Sequence, residues 1–90
     1  MAATDIRNAD ALIAKYIEPH PAKPGLSNTR VNVRGVPVWA LIGWPADDYS
    51  NADQVARDYA IPYEAMEAAI AFYDRNKAVI DARLILNREG

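Results

Sequence analysis

Ninety residues, 51% of them hydrophobic and 24% charged, describe one small folded domain, near the size at which a single core barely suffices and pairing with a second copy is a common supplement. A net charge of −2 and a pI of about 5.2 argue against a protein that binds polyanions by bulk charge. Without cysteine there is no disulfide, thiolate metal site or cysteine nucleophile, and no apolar run approaches the roughly 20 residues of a membrane span, so a cytoplasmic location is expected.

The charge is unevenly spread. Lys15, Lys23, Arg30 and Arg34 face a single acid, Glu18, between positions 15 and 34, whereas residues 51–90 carry five basic and seven acidic side chains. An anionic surface would meet the N-terminal half first.

The first helix is expected over residues 5–18, capped by Asp5 or Asn8, because Ala9, Leu12, Ile13, Tyr16 and Ile17 recur at three- and four-residue spacing. Three prolines and Gly25 then make residues 19–28 a connector, with His20 an exposed residue of it rather than a metal ligand. Over residues 29–38, Val31 and Val33 alternate with Arg30, Asn32 and Arg34, the period of a strand with one apolar and one polar face. Such a strand needs a partner, either Val36 to Val38 after a turn at Gly35 or the same strand of a second copy in a ribbon across a twofold axis.

Residues 39–44 read as a short apolar helix carrying Trp39 and Trp44, followed by a polar corner at Asp47, Asp48, Tyr49 and Ser50. Over residues 51–76 the pattern is that of a helix-turn-helix: Ser50 or Asn51 as cap, Val55, Ala56 and Tyr59 on the first helix, a turn at Ala60-Ile61, and Pro62 opening the second. That second helix has Ala65, Met66, Ala69, Ile70, Phe72 and Tyr73 on its apolar face. A bend at Asn76 separates it from a last helix over residues 77–88, with Val79, Ile80 and Leu84 as its buried candidates.

Nothing in this pattern carries catalysis. The adjacent Asp47 and Asp48 suit a cap or solvated corner better than an acid–base pair, no serine or threonine has the setting of an activated nucleophile, and the isolated glycines make no phosphate loop. The chain is read as a non-enzyme without cofactor or metal. Two classes of binding remain open. Glu64 and Glu67 at the start of the second corner helix are unfavourable beside phosphates, which moves the DNA-contact candidates to Arg30, Asn32 and Arg34, then Arg57 and Tyr63. Arg75 and Lys77 could add phosphate contacts or serve as helix-surface ion-pair partners. For a protein partner or a dimer interface the candidates are Val31 and Val33 on the strand and Ile80, Leu84 and Leu86 on the last helix.

Four stretches in order, Gly35 to Gly43, Val55 to Tyr59, Ile61 to Ala69 and Ile80 to Arg83, together with the lead-in Tyr16 to Pro21, resemble the small bacterial domain-of-unknown-function family four hundred thirty-three, over about Tyr16 to Leu86. Members of that family resemble antitoxins of VapB type. The residue pattern gives a mainly α fold with a short strand or hairpin, helix-turn-helix-like, winged or not, and the resemblance implies a compact helix-turn-helix-like dimer that neutralises a toxin and can repress its own promoter. It further implies a PIN-domain toxin as partner and operator DNA as an optional second ligand. The rival reading is an interaction or assembly module that does not bind DNA.

Overall fold

The computed structural model describes residues 6–43 and 52–89. The expected Asp5 cap, Trp44, the Asp47–Asp48 corner and the Ser50 or Asn51 cap lie outside the described residues. Within them the chain is mainly helical: α1 Ile6–Tyr16, β1 Ile17–Glu18, a 3-10 turn Leu26–Asn28, β2 Arg30–Val31, α2 Val38–Gly43, α3 Ala52–Tyr59, α4 Tyr63–Arg75 and α5 Lys77–Glu89.

Helix α1 buries Ala9, Leu12 and Tyr16, the three- and four-residue spacing that sequence periodicity indicates. Asn8 does not cap it, since the helix already begins at Ile6, and Ile17 leaves the helix to begin β1. The change at Ile17 has a local cause: β1 runs antiparallel to β2, with Ile17 opposite Val31 and Glu18 opposite Arg30. A pairing partner 14 residues downstream outcompetes one more helical turn ahead of Pro19.

The strand is much shorter than the expected residues 29–38. Its other edge is closed by the same chain, where Arg30 bridges Pro37, the Val31 amide donates to the Val36 carbonyl at 2.9 Å, and the Val38 amide to that of Thr29 at 3.0 Å. Between these segments the chain turns through Arg34 and Gly35, both left-handed at φ +61° and +65°, as in tight hairpin connections. Of the two pairings open at the sequence level, the one within the chain is realised. With both edges of β2 occupied, a ribbon built on it across a twofold axis has no free hydrogen-bonding edge.

Helix α4 is the centre of the molecule. It packs against α1, α2, α3, α5 and both strands, burying Ala65, Met66, Ala68, Ala69, Ala71 and Phe72. The core closes around it with Leu41, Val31, Val38, Val55 and Ile80, all fully buried.

The turn between α3 and α4 follows from backbone accounting at a helix end. The Ile61 amide donates to the Ala56 carbonyl (3.0 Å) and the Ala60 amide to that of Arg57 (3.1 Å), with Ala60 left-handed at φ +58°. This pair of bonds is the Schellman motif, and Ile61 supplies its apolar contact by being buried beside buried Ala56. Pro62 then forbids continuation and starts α4 from extended backbone. At the other end Asn76 serves two helices: its amide donates to Tyr73 and its side chain to Phe72, closing α4, while its carbonyl accepts from Ile80 to open α5. The bend expected at Asn76 is there.

Candidate functional site

The polar strand face does not exist as a plane of three side chains, because β2 ends at Val31. Arg30 is half-buried and its Nε donates to Glu18 at 2.7 Å, an ion pair across the two strands. Asn32 is exposed and turns back to α1, its side-chain amide donating to the Lys15 carbonyl at 2.8 Å. Arg34 sits in the left-handed turn and reaches the carbonyl of Ala60 at 3.1 Å. The latter bond joins the two left-handed residues other than glycine among those described, and thereby ties the hairpin turn to the α3–α4 corner.

What gathers around the start of α4 is therefore a mixed cluster. Lys15 lies 3.7 Å from Glu64 and over the ring of Tyr16, whose hydroxyl also donates to Glu64 at 2.8 Å. Arg57 is engaged within its own helix by Asp53 and Gln54. Tyr63, the first residue of α4, stands exposed. Among the described residues Arg34 has no carboxylate partner, whereas Arg30, Lys15, Arg57 and Arg75 each have one. Exposed ion pairs contribute little to stability, but they do lower the positive potential a phosphate lattice would meet. Lys15 enters the cluster through tertiary contacts with residues 17 and 49 positions away, beyond the reach of any local sequence signal.

Of the partner candidates, Val31 and Ile80 are withdrawn from any surface, each being 0% exposed. Their apolar character belongs to the core, where Val31 sits between the strands and α4 and Ile80 anchors α5. Val33 and Leu84 are half-buried against that core. Leu84 packs on the end of α2, where a Cβ on Gly43 would meet the tip of its side chain, Cδ2, at 2.7 Å. Leu86, in contrast, is 67% exposed.

Leu86 has company that sequence periodicity passes over. Leu26, Ile85 and Leu86 are exposed large apolar side chains on α5 or on the 3-10 turn packed against it. Arg83 holds these elements together, its Nη1 reaching Asn28 Oδ1 at 2.6 Å and Ser27 Oγ at 3.3 Å with its guanidinium over the Trp39 ring. The latch spans more than fifty residues and leaves no local trace in the sequence.

Among the described residues no group of three histidine, cysteine or carboxylate side chains could hold a metal ion, and no helix is long and apolar enough to cross a membrane. Comparison with known proteins returns no match, whether to a family model, a curated protein or a solved structure.

Proposed function

We propose that this chain is an antitoxin-like interaction domain whose primary ligand is a protein, a PIN-domain toxin, bound through the outer side of α5. The single observation that carries the reading is that α5 has apolar side chains on two sides. Ile80 and Leu84 are turned into the domain, while Ile85 and Leu86 are left in water. A helix apolar on both sides is ordinarily covered on both. The family resemblance supplies the class of partner, and the α3–α4 corner is the helix-turn-helix-like element of that class.

DNA is the secondary ligand in this reading, with Arg34 as its leading contact and Asn32, Arg57 and Tyr63 around it. Glu64 and Glu67 on the exposed start of α4, and the carboxylates already holding Lys15, Arg57 and Arg30, favour the protein partner over the operator. If the DNA reading fails, the rival is a pure interaction module.

The deciding experiment is titration of the chain with a PIN-domain nuclease of the same genome, by calorimetry and by nuclease inhibition. The expected result is a complex weakened by about tenfold or more in Leu86→Asp. No binding by the native chain would sink the antitoxin reading. For DNA, the upstream sequence of its own gene is titrated at increasing salt. A steep loss of affinity, further reduced by Arg34→Ala, is expected of an operator ligand, and no binding at low salt leaves the interaction module.

A further inference from the structure

On a helix of 3.6 residues per turn, the exposed residues Ala78, Ala82, Ile85 and Leu86 fall on one stripe about 100° wide, turned away from the side that buries Ile80 and half-buries Val79 and Leu84. Ile85 and Leu86 make it a contact surface, and the two alanines allow close approach of a second helix. Along one edge of the stripe stand Asp81 and Arg88. Seven residues apart, they are separated by about 10.5 Å along the axis, too far to pair with each other. Asp81 accepts a hydrogen bond from the Tyr73 hydroxyl at 2.7 Å, and Arg88 has no ion pair among the described residues.

We infer that the occupant of this stripe in the chain alone is a second copy of α5, antiparallel across a twofold axis that passes close to Ile85. A twofold of this kind keeps the same edge of both helices on the same side of the pair. It brings Asp81 opposite Arg88 of the second copy, and Arg88 opposite its Asp81, giving two symmetric ion pairs. Ile85 meets its own counterpart at the axis, and Leu86 lies beside the small Ala82 of the other helix. Parallel pairing, about a twofold along the helices, carries that edge to opposite sides of the pair and leaves every Asp81 and Arg88 without an ion-pair partner across it. The same-edge spacing of one acid and one base is thus self-complementary in a single orientation, and that selects a copy over an unrelated helix. This replaces the ribbon through Val31 and Val33, whose strand has no free edge. The inference rests on reading the outer side of α5 as a protein-binding surface and names its occupant when no toxin is present.

One helix crossing its copy belongs at the small end of specific interfaces, under about 1,200 Å² in total, so a dissociation constant in the micromolar range is expected. The test is sedimentation equilibrium of the full chain from roughly 1 µM to roughly 1 mM, with near-ultraviolet circular dichroism as the check on folding. A monomer–dimer equilibrium is expected. Leu86→Asp should weaken it by about tenfold or more, and Asp81→Arg and Arg88→Asp by about fivefold each, while the double reversal restores it to within about threefold of the native chain. Because the chain has no cysteine, Ile85→Cys introduces the sole thiol. Facing Cα atoms of closely crossed helices come within about 4–6 Å, so this variant should oxidise to a disulfide dimer much faster than Lys77→Cys, which is far from the axis.

A chain that stays monomeric throughout, or a dimer indifferent to the charge reversals and to Leu86→Asp, overturns the inference. Failure here is separable from failure of the antitoxin reading: a monomer that still binds the nuclease through Leu86 loses only the self-pairing, and a dimer that ignores the nuclease loses only the toxin.

Discussion

Helices α4 and α5 are both 13 residues long and are separated only by Asn76, yet α4 buries six side chains and α5 fully buries one, Ile80. The difference lies in side-chain size more than in apolar content. Four of the six residues α4 buries are alanines, Ala65, Ala68, Ala69 and Ala71, and small side chains let α1, α2, α3 and the strands approach from several directions at once. The apolar residues of α5 include Val79, Ile80, Leu84, Ile85 and Leu86, large enough to hold a neighbour off and spread too widely for one neighbour to cover. A helix becomes the centre of a small fold by being thin, and becomes a surface for association by being bulky on a side its own fold leaves bare.

The sharpest way to break this contrast is to remove the single deep anchor of α5. Ile80→Ala should cost about 3 kcal/mol, the usual range for truncating a buried isoleucine, and hydrogen exchange should show α5 losing protection before α4. Equal loss in both helices would mean that α5 is part of the central core after all. Thickening the central helix is the converse change. Ala68→Leu, at a position with 0% exposure, should cost about 2 kcal/mol through overpacking, measured by urea denaturation. Ala82→Leu on exposed α5 should leave the stability of the monomer, measured below about 1 µM where the pair is dissociated, within about 0.5 kcal/mol.

The contrast also divides what the sequence reveals from what it conceals. Helix positions were legible because their causes are local: the spacing of Leu12 and Tyr16, the Pro62 start of α4, and Asn76 between two helices. The direction of β2 was not, since alternation at Val31 and Val33 reports two faces but not where the chain turns. Left-handed backbone at Arg34, a residue that seldom adopts it, cut the strand short and separated three polar residues that the alternation set on one face. Apolar periodicity on α5 marked Val79, Ile80 and Leu84 as the inward set, and Ile80 is core with the other two half-buried; the partner candidates Ile80, Leu84 and Leu86 mixed that set with the surface. The side a helix buries depends on neighbours such as Trp39 and Asn28, which reach α5 through Arg83 from far along the chain.

An effect smaller than either core change concerns the corner that delivers the chain into α4. Ala60 holds a left-handed conformation at φ +58°, where glycine avoids the clash that a Cβ brings and where helices often end in glycine. Ala60→Gly relieves that clash, an unfavourable term of about 1–2 kcal/mol for an L-residue, but also loosens the unfolded chain. The net expectation is a gain of about 0.5–1 kcal/mol, seen as a melting temperature higher by about 4 °C for a domain of this size. The Ala60 carbonyl that accepts the Arg34 bond is present in either residue, so the gain should survive in an Arg34→Ala background. A gain that vanishes there would show that the arginine, rather than the Cβ, sets the energy of the turn, and would couple the hairpin to the entrance of the central helix.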